Sequence, residues 1–448
     1  MASAADSLAS SISLSKFAQA TDLKKRLWFT IGALIVFRLL SYIPLPGVDP
    51  TALGALAQRT TGGVLDFFNN FSGGSFKRAS IIALGVMPYI TASIVVQLAT
   101  SLSPTLASIK KEGESGRKRL NQYTRYGTVG LTAIQGYFVA ATLEAQNVSV
   151  EPGMLFRIGV VVSLVGGTMF LMWLGEQITA RGIGNGVSLI IMAGIVANLP
   201  TNLYNLAEGG RTGDLGAGRL IGIIVAVVAI VLFICFMERA QRRILIQYPK
   251  RQTARGVQSD RSHLPLKLNT AGVIPPIFAS SLLLMPLTIT QFAGSKVQGE
   301  SWWGDVIITL NQYLQHGSPI YMALYGAGII FFSFFYTAVV FNPEETADNL
   351  KRYGGFIPGI RPGKNTEVYF DYVLTRITVI GAGYLAIICL VPEYLVSALK
   401  IPFYLGGTSL LIVVNVTMDT VTQIQSHLLA HQYGDLIKKA KLKGGRLR

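Results

Sequence analysis

From residue 27 onward the chain alternates long apolar runs with short polar segments that carry its Lys and Arg. A bilayer core about 30 Å thick needs about 20 apolar helical residues. Ten runs approach that length: Leu27–Ile43, Ala79–Leu102, Tyr126–Leu143, Ile158–Ile178, Val187–Leu203, Leu220–Met237, Ala271–Ala293, Ile320–Phe341, Ile377–Val391 and Ile401–Met418. The ninth is short and the fifth only moderately apolar. The pattern predicts an all-α polytopic membrane protein with ten transmembrane helices.

Lys and Arg in the connecting segments orient these spans, because positive charge is retained on the cytoplasmic side. With ten spans both termini share one side, which carries 30 Lys and Arg against 8 opposite, with Arg38 inside the first run. Both termini are therefore expected in the cytoplasm. The even count allows two inverted five-helix halves, split near the Gly-rich outer segment Asn205–Gly218, an arrangement common in proteins that move substrates. The expected divisions are a cytoplasmic N-terminal segment (1–26), an N-terminal half (27–204), a C-terminal half (205–418) with cytoplasmic loops 238–268 and 342–371, and a basic cytoplasmic tail (419–448).

Composition narrows the class. Of 448 residues half are hydrophobic and only 14% charged, against roughly 25% charged in soluble domains, and the mean hydropathy is +0.46. The net charge of +16 suits contact with anionic lipid, RNA or an acidic partner. Cys235 and Cys389 both lie in apolar runs, which leaves no disulfide framework and no zinc knuckle. The first twenty residues lack the pattern of a signal peptide, so the first apolar run is expected to be a retained span.

Some features are more than a bundle of spans requires. Between the first two runs, Gly62–Ser75 places Val64, Leu65, Phe67, Phe68 and Phe71 at helical spacing, with Gly pairs at its ends. About 12 helical residues reach roughly 18 Å, enough for mid-membrane but not to cross. Two readings fit equally: a re-entrant plug for a pore, or an amphipathic helix on the outer surface. The loop 238–268 carries eight Lys and Arg, among them Arg242, Arg243, Lys250, Arg251 and Arg255, against Glu238 and Asp260. Docking on RNA phosphate or an acidic protein surface fits this excess, and a topology signal touching lipid headgroups is the simpler reading. The loop 342–371 has four basic and five acidic residues, and its Gly354–Gly363 stretch reads as a shaped turn presenting Arg361. Arg38 lies near the outer end of the first run, where snorkelling to the interface is expected. Thr91, Gln97, Gln135, Asn269 and Thr270 are uncharged candidates for helix–helix hydrogen bonds.

Enzyme chemistry lacks its parts. His427 and His431 have i, i+4 spacing but no third ligand nearby, and Gly182–Gly186 lies between two spans without the strand a dinucleotide site requires. Gly359–Asn365 falls one residue short of a P-loop and lacks its Ser or Thr. The apolar runs hold one acid, Glu176. No cofactor is expected, and any energy source belongs to a partner.

Five motifs then become specific: Phe71–Ile94 (FSGGSFKRASIIALGVMPYITASI), Lys110–Arg117 (KKEGESGR), Trp173–Gly186 (WLGEQITARGIGNG), His263–Lys267 (HLPLK) and Phe341–Asn349 (FNPEETADN). In this order they resemble the SecY/Sec61-alpha family, the channel-forming subunits of protein translocases. The resemblance implies two halves clamped around an hourglass pore. Its ring of apolar side chains falls on Val86, Ile90, Val187, Ile191, Ile277 and Ile412, with two Val where Ile is more usual. The Gly62–Ser75 segment, Gly73 included, becomes the plug. Spans two and three part from seven and eight at a lateral gate carrying Thr91, Gln135 and Asn269. The implied partners are SecE-like and SecG-like small subunits, a SecA motor ATPase, the ribosome, signal peptides and nascent polypeptides, and membrane lipids. Arg361 matches an arginine tied to motor coupling, whereas Arg255-Gly256 departs from an Arg pair, which leaves the strength of the ribosomal contact open, with Arg261 as the residue that could compensate. The implied function is translocation of unfolded preproteins across the bacterial cytoplasmic membrane, with lateral release of transmembrane segments. The rivals are a secondary transporter of small solutes, which needs polar ligands at midplane, and an intramembrane enzyme, which needs paired acids, a Ser/His pair or a metal cluster within the spans.

Overall fold

The computed structural model describes residues 21–49, 72–212, 217–248, 261–283, 318–399 and 406–444, with short pieces at 51–53, 251–253 and 256–258, plus Asn69 and Tyr313. Twelve helices and four strands frame the description. They are α1 (Thr21–Leu40), α2 (Met87–Leu102), α3 (Pro104–Lys111), α4 (Glu114–Ala145), α5 (Met154–Arg181), α6 (Gly186–Thr212), α7 (Ala217–Arg239), β1 (Gln241–Gln247), β2 (Arg251–Thr253), β3 (Gly256–Gln258), β4 (Arg261–Lys267), α8 (Ile274–Leu283), α9 (Pro319–Val340), α10 (Pro343–Arg352), α11 (Lys364–Leu399) and α12 (Gly407–Gly444). Among the described residues five helices are long and apolar enough to cross a membrane, and the α2–α3 pair, bent by 106°, makes a sixth if it is one broken span. This is a multi-pass membrane protein.

Each expected run meets a helix, but several boundaries move. The expected span from Ala79 is turn as far as Val86, because Ala79 (φ 42°) and Gly85 (φ 58°) leave right-handed helical geometry. The helix begins at Met87, with Pro88 in its first turn, where the missing N–H costs nothing. The turn is still buried: Ile82, Ala83 and Leu84 pack in the interior. The short ninth run lies inside the 36-residue α11, which carries Pro392 within it. The Gly-rich outer segment expected at Asn205–Gly218 is helical up to Thr212 and again from Ala217. The tail continues the tenth span as one helix to Gly444.

The expected cytoplasmic loop 238–268 contains an antiparallel hairpin, with β1 pairing β4 from Gln241↔Lys267 to Gln247↔Arg261. Ile244 and Leu266 alternate inward from it, as period-two strands require. They share a core with Ala347, Ile357, Phe370, Val373, Leu374 and Ile377. The segments expected as two separate loops, 238–268 and 342–371, thus share one core with the start of α11. A larger interior cluster unites α1, α2, α5 to α9, α11 and α12. A third joins Leu45, Leu84, Val139, Phe156 and Leu164.

Candidate pore, plug segment and docking platform

The six expected ring positions come from four helices. Val86 is the residue before α2 and Ile90 sits in its first turn. Val187 and Ile191 open α6, Ile277 lies in α8 and Ile412 in α12. Five are buried, with exposures from 1 to 9%, and Val187 is half-buried against them; all six belong to the central cluster.

Local chemistry aims the helices. The Asn185 side chain accepts from the backbone N–H of Val187 (3.1 Å) and Ser188 (3.3 Å), capping α6 as an N-cap Asn does. The preceding Gly182–Gly186 loop is held from two sides: the N–H of Ile183 donates to Thr30 Oγ1 (3.1 Å) of α1, and that of Gly184 to Gln423 Oε1 (2.8 Å) of α12. This glycine-rich loop is a joint between the first and last helices.

Of the expected plug residues, Val64, Leu65, Phe67, Phe68 and Phe71 lie outside the described residues, and Gly73 is described. Gly73 has φ 68°, and a Cβ there would meet Cα (3.1 Å) and O (3.2 Å) of Gly194 in α6. Its carbonyl accepts from Arg38 Nη1 (2.9 Å) and Arg78 Nη2 (2.8 Å). Arg38 also donates to the Tyr42 hydroxyl (3.0 Å), and both guanidinium carbons lie over the Tyr42 ring, at 5.0 and 4.5 Å from its centroid. Beside the expected snorkelling, Arg38 finds a carbonyl acceptor and an aromatic face within the protein. Burial first, and the Arg38 charge second, lower the Arg78 pKa from its ordinary value. Asn69 closes the turn from the other side: its carbonyl accepts from the N–H of Gly74 (2.8 Å) and from Asn198 Nδ2 of α6 (3.4 Å).

The expected gate residues are not brought together by hydrogen bonds. Thr91 donates to the Met87 carbonyl of its own helix at 3.1 Å, and the buried Gln135 Oε1 has no partner. Helices α2 and α4 pack on each other, as do α9 and α11. Asn269 belongs to a different group: its Nδ2 donates to Glu238 Oε1 (2.6 Å) and to the Gly272 carbonyl (3.2 Å), while its Oδ1 accepts from the Gly272 N–H (3.0 Å). The Tyr384 hydroxyl reaches the same Glu238 oxygen at 3.5 Å, and Lys267 pairs with Asp419 at 3.6 Å. Glu238 escaped sequence reasoning because it ends an apolar run beside Arg239, like any flanking charge. The acid Glu176 is paired with Arg125, whose Nη2 donates to both carboxylate oxygens (2.7 and 2.9 Å).

On the platform of the hairpin and the segment packed on it, Arg242, Arg243 and Arg361 are exposed. Arg251 lies in β2, and Lys250 and Arg255 lie outside the described residues. Arg361 sits in a turn whose geometry Thr366 fixes by donating to its carbonyl (3.1 Å). Among the described residues no group of three His, Cys, Asp or Glu gathers as a metal site would require.

A multi-pass helical bundle with a shared apolar interior cluster, a glycine turn held by two arginines and a basic β-hairpin suits the class of membrane channels. The SecY family pattern matches residues 80–421. Curated relatives named protein translocase subunit SecY include that of Escherichia coli K12, 54% identical over 94% of this chain and 96% of its own length. That of Vibrio cholerae is 53% identical over 95% and 96%. Among solved structures, a protein-conducting channel has the same fold, with TM-score 0.64 and 16% identity over 90% of this chain and 92% of its own. Sec61 in the canine ribosome–channel complex aligns with TM-score 0.62 and 17% identity over 90% and 92%. The chain belongs to the SecY family.

Proposed function

We propose that this chain is a protein-conducting channel that passes unfolded preproteins across the bacterial cytoplasmic membrane and releases transmembrane segments sideways into lipid. The observation that carries the reading is the central cluster, which Val86, Ile90, Ile191, Ile277 and Ile412 join and on which Val187 packs. A narrow apolar constriction excludes a stable water or ion wire, yet offers no lasting polar contact to a peptide sliding through it. The chain then has ten spans in two inverted halves, both termini cytoplasmic, with Gly62–Ser75 as the plug. The lateral exit lies between spans two and three on one side and seven and eight on the other, with Thr91, Gln135 and Asn269 near it.

The work comes from outside, because the chain carries no nucleotide motif and catalyses no covalent step. Arg242, Arg243, Lys250, Arg251, Arg255 and Arg361 present positive charge for a SecA-like motor and for the ribosome. Small subunits of the SecE and SecG kinds complete the complex. A secondary transporter of small solutes is disfavoured because the helix junction holds apolar side chains where such a carrier needs polar ligands.

The test places cysteines at Ile90, Ile191 and Ile277 and stalls a secretory chain in transit. Crosslinks from these positions to the stalled chain are expected; failure of all three to capture it defeats the pore assignment. Conductance separates the rivals: deleting Gly62–Ser75 makes a plugged pore leak, whereas a carrier stays silent.

A further inference from the structure

The glycine-rich loop between α5 and α6 is gripped by α1 and α12, which lie far from it in sequence. Ile183 is the knob of the grip. It is only 2% exposed, and its side chain packs with Leu23 and Leu27 of α1 and with Ile424 and Leu428 of α12. The backbone is held as well. The Thr30 hydroxyl accepts from the Ile183 N–H (3.1 Å) while donating to the Arg26 carbonyl (2.9 Å), so a buried N–H is not left without an acceptor. The next N–H, of Gly184, goes to Gln423 Oε1 of α12 at 2.8 Å. Gly184 has φ 87°, a conformation open to glycine, and two successive N–H groups reach two different helices.

Toward its own helices the loop is stiff. The Gly186 N–H donates to Thr179 Oγ1 of α5 (2.8 Å), and a Cβ on Gly186 would run into the Gly175 carbonyl. The start of α6 therefore rides on α5, and Val187 and Ile191, in its first two turns, go where the loop goes. Ile412 is carried by α12, about three turns from Gln423. The two helices also touch directly, with Thr417 Oγ1 of α12 at 3.6 Å from Met192 Sδ of α6.

We infer that Thr30, Ile183 and Gln423 form a clasp that fixes α6 against α12 and so holds Val187 and Ile191 in register with Ile412. They are positioning residues: Ile183 packs in a cluster separate from the central one, and each acts on the apolar junction through the helix it holds. The inference rests on reading the central cluster as the constriction of a channel.

The experiment measures resting ion conductance per assembled complex, with the full-length chain reconstituted beside its co-purifying membrane subunits, and thermal unfolding of the same preparations in detergent. Thr30→Val strands a buried N–H and is expected to raise conductance about tenfold. Gln423→Leu is expected to raise it about threefold, because Gln423 is exposed and water replaces its oxygen. Thr30→Ser and Gln423→Glu keep the acceptor and stay at the parental value. Arg157→Gln, which breaks the pair with Glu144 (2.6 Å) at the other end of α5, lowers the unfolding temperature and leaves conductance unchanged. If Thr30→Val does not assemble, Ile183→Ala thins the knob and gives the same readout. In the Thr30→Val background a short thiol-bridging reagent across Met192→Cys and Thr417→Cys is expected to return conductance to that of the same bridged pair with Thr30 intact.

Ile90→Asn, placed in the central cluster itself, separates the two readings. If it leaks while the clasp variants are destabilised but tight, the clasp is overturned and the constriction stands. If neither it nor any clasp variant leaks, both are overturned. Leaks of equal size in Thr30→Val and Thr30→Ser, or a Thr30→Val leak that survives the α6–α12 bridge undiminished, also overturn the clasp.

Discussion

Gln247 and Phe356 exchange both of their backbone hydrogen bonds, each N–H donating to the other's carbonyl at 2.9 Å. The first residue ends β1 of the basic hairpin; the second precedes the turn that presents Arg361. Two loops separated by about a hundred residues are thereby one platform, backed by the shared core of Ile244, Leu266, Ile357 and Phe370. A displacement of the hairpin therefore carries the Arg361 turn with it.

Phe356→Pro tests this coupling, because proline removes the N–H that Gln247 accepts and leaves the β1–β4 ladder untouched. Local opening of residues 354–363 is expected to rise about tenfold, the equivalent of roughly 1–2 kcal/mol of lost hydrogen bonding. Hydrogen exchange of the reconstituted complex measures it. Unchanged protection there means that the two loops are held together by side chains alone.

The apolar junction makes a second prediction. Ile412 is only 1% exposed, and shortening it to Val opens a methyl-sized gap at about 0.5–1.5 kcal/mol. Ile90→Asn instead places an amide in a dry cluster, which invites water to follow it. The Val variant is expected to seal nearly as well as the parent, whereas the Asn variant leaks ions at rest. Equal conductance in both variants contradicts an apolar seal at this level.

The elements legible in the sequence were those whose burial matches a period. Runs from Leu27 to Met418 mark the helices because lipid and the protein interior both demand apolar side chains. The same logic misreads residues 79–86. Ile81, Ile82, Ala83 and Leu84 are apolar because they are enclosed by protein, and a buried turn and a buried helix look alike in such a run. Helix α11 was underestimated for the opposite reason: Phe370, Val373 and Leu374 lie among polar residues, since one face packs on the platform and the other meets solvent. The motifs point to six positions that all join the central apolar cluster, but none points to the contact of Arg38 and Arg78 with the Gly73 carbonyl. The partner of Arg38 is a backbone oxygen, which no composition or spacing records. Asn269 kept its promise as a buried hydrogen-bonding group, but its partner is Glu238, thirty-one residues earlier.

Glu238 and Asn269 supply a third prediction. The chain leaves β4, turns at Gly272 and enters α8, and the Asn269 amide ties this turn to the end of α7. Glu238→Leu orphans the Asn269 N–H in a buried setting and is expected to cost about 1–3 kcal/mol. Glu238→Gln keeps an acceptor oxygen and is expected to cost less than half as much. Thermal unfolding in detergent ranks the two. If both variants lose equal stability, the negative charge of Glu238 matters more than the bond it accepts.

The last prediction sets two adjacent glycines of α5 against each other. A Cβ on Gly166 meets nothing within 4 Å, whereas one on Gly167 runs into the carbonyl oxygen of Ile81 and approaches Ile82 Cγ2 at 3.3 Å. Both lie within a continuous helix, so Ala in place of Gly removes the same backbone freedom from each, worth about 0.5–1 kcal/mol. Gly166→Ala is therefore expected to raise the unfolding temperature slightly. Gly167→Ala must push the 79–86 turn away from α5, and with it the junction that Val86 enters, so it is expected to lower stability and to raise resting conductance together. The pairing controls for helix propensity, membrane depth and expression. A Gly167→Ala variant that is destabilised but still tight would show that the turn can shift without disturbing the seal.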